Sequence, residues 1–253
     1  MIILKKLKYY LIIFAALVII TNFSACHDSL NECLNGPGKT ITKRQGLHDF
    51  KNIRVQDNIS LTLVNGSVNE LEITAGENTI PELGIDIIDN TLVLSNKSTC
   101  PVLNDPWKTI DMKITVKDID TIFIESYGML KSIEPFEDEA LTIRISNSPA
   151  IIEMNLDCEF VRLENFSGTA TVNLSGTSTQ IECFHSAYGR VDITKLVSNY
   201  CYINMQSSND SYVRGGETFF FAVLGSIGNV YYYNDPDRIE LTTRSSGMLI
   251  KLQ

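Results

Sequence analysis

The segments VRLENFSGTATV (161–172), IECFHSAYGRVDI (181–193) and INMQSSNDSYV (203–213) follow one plan: an alternating apolar strand, a small polar turn, a second apolar strand. The plan recurs in IFIESYGML (122–130), LTIRISNSPAII (141–152), FAVLGSIGNVYY (221–232) and IELTTRSSGMLI (239–250). The turn positions are Gly128, Ser148, Gly168, Gly189, Asn209, Gly228 and Gly247, with spacings of 20, 20, 21, 20, 19 and 19 residues. Such a period marks a solenoid, in which each repeat buries its apolar face on its neighbours. Coils of about 20 residues hold two or three short strands with corners. A parallel β-helix follows, because equivalent strands of adjacent coils then stack. At about 4.8 Å per strand step, the coils would form a rod roughly 30 Å long. A β-sandwich is the alternative, since strands every 8–12 residues also fit that fold, but it leaves the recurrent turn unexplained.

Two apolar columns flank the turns. Ile124, Ile145, Leu163, Cys183, Met205, Val223 and Leu241 precede them; Leu130, Ile151, Ala170, Val191, Val213, Val230 and Leu249 follow. The register slips by one residue between some coils, and local bulges are expected to absorb the slips. Upstream, FKNIRV (50–55), ISLTLV (59–64), LEITA (71–75), IDII (85–88) and TLVLS (91–95) alternate with period two and are broken by Asn65-Gly66 and Asp89-Asn90, the signature of strands and turns. A loop from Lys97 to Pro106 then leads to Trp107, the only tryptophan.

The first residues have a different character. MIILKKLKYY carries Lys5, Lys6 and Lys8 and no acid, an apolar run follows from Leu11 to Ile20, and Phe23-Ser24-Ala25-Cys26 closes the segment. A charged start, a short apolar run and small residues at a cut describe an export signal. The run falls short of the roughly 20 apolar residues of a membrane span. The closing residues are similar to a bacterial lipobox, with Phe23 where Leu is usual. Cleavage is expected after Ala25 and lipidation on Cys26. The expected domains are a signal peptide (1–25), a flexible tether (26–45) and one β-solenoid domain (46–253), with N-terminal strands over 46–118 and regular coils over 119–253.

Removing residues 1–25 takes away three of the 21 basic residues, leaving 18 against 30 acids, a net charge of −12. An acidic surface argues against nucleic acid, whose binding rests on basic side chains neutralising phosphate. The partner expected from sequence is the membrane, through lipid on Cys26. Of the remaining cysteines, Cys158, Cys183 and Cys201 lie in apolar strands and read as small buried hydrophobes, while Cys33 and Cys100 lie in loop-like stretches and are a candidate disulfide pair.

No catalytic motif and no cofactor or metal signature is present. His185-Ser186 reads as a solvated turn edge, because adjacent strand residues point to opposite faces. Glu134, Glu137, Asp138 and Glu139 read as a charged loop lacking the ligand pattern of a calcium site. In YYYNDPDR (231–238), Tyr231, Tyr232, Tyr233, Asp235 and Asp237 are candidate contact residues. At least one ring faces outward if the segment is a strand.

With these features in view, the chain resembles the autotransporter adhesin head (head GIN) domain family of bacterial envelope proteins, common in the Bacteroidetes. The resemblance spans about residues 46–250 and rests on GLHDFKNIRVQDNISLTLVNG (46–66), LEITAGEN (71–78), IDIIDNTLVLSN (85–96) and the later SSG-like turns. It implies a right-handed parallel β-helix, export and a lipoprotein signal, with no active-site residues to carry over. Three readings follow: a non-enzymatic binding or adhesion module for glycan or protein; a structural or regulatory periplasmic protein; or a polysaccharide-active β-helix enzyme. The last requires acids, or acids with Arg or Lys, converging on neighbouring coils of one face, and the repeat alignment places none there. The expected location is the cell envelope, at the outer membrane.

Overall fold

A computed structural model describes residues 36–100 and 108–252. The signal segment, Ala25, Cys26, Cys33 and Trp107 lie outside the described residues. Strands account for nearly all of the regular structure: β1 (Thr40–Gly46), β2 (Asn52–Asp57), β3 (Ile59–Asn65), β4 (Glu70–Gly76), β5 (Leu83–Ile88), β6 (Thr91–Asn96), β7 (Ile110–Val116), β8 (Thr121–Ser126), β9 (Met129–Ser132), β10 (Phe136–Ile145), β11 (Ile151–Asn165), β12 (Thr171–His185), β13 (Val191–Met205), β14 (Ser211–Val213), β15 (Phe219–Leu224), β16 (Val230–Tyr232), β17 (Arg238–Thr243) and β18 (Leu249–Lys251). The one described helix is a single 3-10 turn at Ile80–Glu82.

The chain is a β-solenoid with coils of about 20 residues. Val161 pairs in parallel with Leu141 and Ile181, Ile181 with Cys201, Cys201 with Phe220, and Phe220 with Ile239. Each step is thus 19 or 20 residues. A coil has three sides. The first follows the turn and carries the ladder β9, β11, β12, β13, β14, β16, β18. The second runs through the middle of β10–β13, with Phe136, Leu156, Gly176 and Leu196 in one column. The third precedes the turn and carries β8, β10, β11, β12, β13, β15 and β17. In β11 the alternation places Ile152, Met154, Leu156 and Cys158 inside; two successive outward residues, Glu159 and Phe160, shift its phase before Val161 and Leu163 point in. That shift turns the corner between the second and third sides, and Thr179-Gln180 and Asn199-Tyr200 repeat it in the next coils.

The turns stack on one edge. Ser148 bridges Gly168, and the Tyr188 amide donates to the Gly168 carbonyl at 2.9 Å. Gly168 has φ +101°, a conformation that favours glycine. A β-carbon on Gly189 would lie 1.7 Å from the Ala170 carbonyl oxygen. Glycine is needed there for close approach.

The register differs from the expected columns. Leu163 and Cys183 stand with Ile143 and Ile203, not with Ile145 and Met205. In line with Ile124, Ile145 and Met205 stand Asn165 and His185. Val223 points outward while Ala222 fills the core, and Ile151 is 43% exposed while Ile152 is buried. Along these ladders the pairing does not slip between coils, apart from one irregularity: Val172 pairs with Val191 but Ser175 with Lys195, a bulge in β13. Buried polar side chains simulated an apolar column with slips.

The N-terminal strands sit in a spatial order that sequence did not reveal. Strands β2 and β3 form the coil stacked on β8 and β9, and β6 and β7 form the next coil outward. Antiparallel strands then close that end: β5 on β6, β4 on β7, and β1 on β4. Strand β1 occupies Thr40–Gly46, so ordered pairing begins inside the stretch expected to be tether. Glu137, Asp138 and Glu139, expected in a charged loop, belong to β10. An Asp138 carboxylate oxygen accepts from the Ile119 amide at 2.8 Å.

Candidate binding face

Alternation that sends aliphatic side chains inward on the third side sends a different set outward. Arg54 and Arg144 flank Phe123 across the ladder, with guanidinium carbons 4.5 and 5.7 Å from the ring centre. Such cation–π contacts orient both partners. Further along, Arg144 meets Glu164 at 2.5 Å and Arg162 meets Glu182 at 2.6 Å, each bridging adjacent coils. Being partly solvated, these pairs contribute little stability each; they fix side-chain positions on the face.

Beyond the charged pairs the face becomes aromatic. Phe184 lies 5.4 Å from Phe166, and Tyr202 stands edge-on to Phe219 and Phe221 at 5.7 and 6.4 Å. Between these rings lies an open groove of about 380 Å³ whose walls include Glu164, Glu182, Phe184, Tyr202, Asn204 and Phe221. The Gln180 amide donates to Glu182 at 2.9 Å. The groove therefore offers apolar ring surface bordered by carboxylates and an amide. Acids and an Arg do converge on neighbouring coils, contrary to the repeat alignment, with both carboxylates engaged by guanidinium groups. The missed signal was the outward positions of the repeats, where Tyr202 and Phe221 stand in one column and Phe184 in the next, in line with Asn204.

The five contact candidates from sequence do not share a surface. Tyr231 faces outward on the first side, stacked on Tyr212 at 5.2 Å and 13° between planes, with Arg190 4.5 Å above Tyr212. Tyr232 turns inward against Phe220 at 5.5 Å. Tyr233 is exposed. Asp235 is exposed and accepts from Lys251, while exposed Asp237 anchors its loop through its amide, which donates to the Glu217 carbonyl at 2.9 Å. Arg190 also pairs with Asp192 at 2.9 Å. Burial pushes the Asp192 carboxyl up, but hydrogen bonds from the Thr194 hydroxyl and amide, together with Arg190, outweigh it and hold the group below the usual carboxylate value.

His185 is fully buried, not at a solvated turn edge. Its register partner is Asn165, also fully buried, and neither side chain has a hydrogen-bond partner for its polar atoms. Burial lowers the His185 pKa from 6.5 to about 4. Ser186 points away, its hydroxyl donating to the Phe166 carbonyl at 2.8 Å. Cys158, Cys183 and Cys201 are free and buried, as expected, and burial raises all three thiols, Cys158 to about 11 and Cys183 to about 12. Cys100 is disulfide-bonded. Among the described residues no group of His, Cys, Asp and Glu is arranged to hold a metal, and no helix is long and apolar enough to cross a membrane.

Fold and face together define a solenoid whose outer ladders form a continuous, side-chain-rich surface. A family model described as "Putative auto-transporter adhesin, head GIN domain" matches residues 49–236, and the chain belongs to that family. Similar solved structures include a "putative adhesin" of Bacteroides fragilis, with TM-score 0.76, 19% identity, and coverage of 85% of this chain and 97% of the other. A "putative adhesin" of Parabacteroides merdae has TM-score 0.59, 16% identity, and coverage of 86% and 98%. A "putative lipid binding protein" of Parabacteroides distasonis has TM-score 0.61, 16% identity, and the same coverage. At these identities the likeness is one of fold. No curated protein matches the chain.

Proposed function

We propose that this protein is a non-enzymatic, lipid-anchored binding module of the cell envelope that holds a glycan in the aromatic groove of its third side. The observation that carries the reading is the groove itself. Phe184, Tyr202 and Phe221 offer ring faces, and Glu164, Glu182 and Asn204 line the same concavity. Sugar rings present apolar C–H faces and hydroxyl edges, so this combination suits them. Repetition along the stack lets several weak contacts act together, and linked contacts gain through effective concentration.

The anchor is lipid on Cys26 after cleavage at Ala25, at the outer membrane. That assignment leaves Cys33 as the disulfide partner of Cys100, and a disulfide fits an exported protein. The Tyr212–Tyr231 stack on the first side, with exposed Tyr233, is a secondary contact in this reading.

Titration of the full chain against a glycan panel tests the groove. Tyr202→Ala and Phe221→Ala should weaken binding at least tenfold with the melting temperature retained, since both rings point out of the core. Failure of the unaltered protein to bind any glycan, or equal binding by both variants, would sink the glycan reading. Tyr231→Ala should have a smaller effect.

A further inference from the structure

The two ends of the stack are built differently. At one end antiparallel strands cover the coils, through β5 on β6 and β4 on β7. At the other, β17 pairs with β15 and β18 with β16, and among the described residues neither has a partner on its other edge. Edges of this kind are normally blocked or covered, and solenoids need polar capping repeats. Among the described residues no strand or helix covers this end; Arg238, Glu240 and Lys251 place charges along its edges, but apolar side chains stay exposed between them. Ile239 and Leu241 stand in register with Phe220 and Ala222, which are fully buried, yet are themselves 40% and 49% exposed. Met248, just before β18, is 58% exposed.

We propose that the open β17–β18 end is an interface between two copies of this chain, joined end to end about a two-fold axis. Charge points to a second copy. The end carries Asp235, Asp237 and Glu240 against Arg238, Arg244 and Lys251, three acids and three bases, whereas the whole chain has a net charge of −9. Like copies repel over most of their surface but not here.

The β17 sequence is also self-complementary. In antiparallel pairing, directly opposite residues point to the same side. A register centred on Ile239 therefore sets Ile239 against its counterpart within the core and places each Arg238 opposite the other copy's Glu240. Centring on Glu240 would oppose two carboxylates, and centring on Leu241 would oppose Arg238 and Arg244. Cross-strand charge pairs favour this register over those centred on Glu240 or Leu241, with Arg238 exchanging the Glu240 of its own strand for that of the other copy. With the far end capped, association closes at two copies and forms no filament.

The test uses the full chain in its native envelope and after detergent extraction. Sedimentation at tens of micromolar should give twice the chain mass, and Leu241→Glu should halve it, with a melting temperature matching that of the parent diluted to monomer. Ile239→Cys should form a disulfide-linked pair in intact cells, whereas Tyr188→Cys, at a more exposed turn, should not. A monomer in sedimentation together with no Ile239→Cys pairing would overturn the proposal. So would cross-linking of Ile239→Cys to a different protein, or equal cross-linking by the Tyr188→Cys control. None of these readouts depends on glycan binding.

Discussion

His185 and Asn165 are costly side chains to bury, since polar groups without partners lose their hydration uncompensated. For His185 the cost depends on pH. Above 6.5 both folded and unfolded chains keep the imidazole neutral. Between 6.5 and about 4 the unfolded chain takes up a proton that the folded chain refuses, so stability falls as pH falls through this window. The loss reaches about 3 kcal/mol by pH 4. His185→Met, matching Met205 in the next coil, should remove this component. Urea titrations at pH 7 and pH 4 would measure it. A variant as acid-sensitive as the parent would show that carboxylates, not His185, dominate the acid limb.

A pair of glycines provides a second comparison between residues. Gly189→Ala drives a β-carbon to 1.7 Å from the Ala170 carbonyl oxygen, whereas Gly46→Ala meets nothing within 4 Å. The first should cost more than about 2 kcal/mol, by forcing two stacked turns apart. The second should be nearly neutral. Thermal melts of both variants check the contrast.

Among the strands, register decides which side chains carry stability. Leu163→Ala removes a fully buried side chain and should cost about 2–5 kcal/mol. Val223→Ala acts on the outer face and should cost well under that, although both residues occupied one column in the sequence reading. Equal losses in denaturant unfolding would contradict the register. The bulge in β13 belongs to the same scale. It inserts one residue near Thr194, whose hydroxyl and amide then reach Asp192 at 2.7 and 3.2 Å.

For the whole molecule, the Cys100 disulfide and the expected lipid site compete for the same small set of cysteines. If Cys26 is acylated, peptide mapping without reduction should recover Cys33 joined to Cys100, and Cys26→Ala should lose the lipid label and keep that disulfide. Recovery of Cys26 joined to Cys100 would exclude the anchor. Protease shaving of intact cells would then establish whether the groove faces the surroundings or the periplasm.

The solenoid was legible in the sequence because stacking demands the same residue classes at the same phase of every coil: apolar strand positions, small polar turns, and a period of about 20 residues. Burial of Cys158, Cys183 and Cys201 followed from the same alternation. Tertiary structure decided the rest. Inward and outward positions differ by one residue, and a Val beside an Ala, or an Asn or His at a core position, reads either way until backbone pairing sets the register. Pairing placed β2 and β3 between β6–β7 and β8–β9, because strands choose neighbours by hydrogen bonds and not by chain order. The groove was hidden for a related reason: Phe184, Tyr202 and Phe221 lie about a coil apart in sequence and become one surface only when successive coils stack.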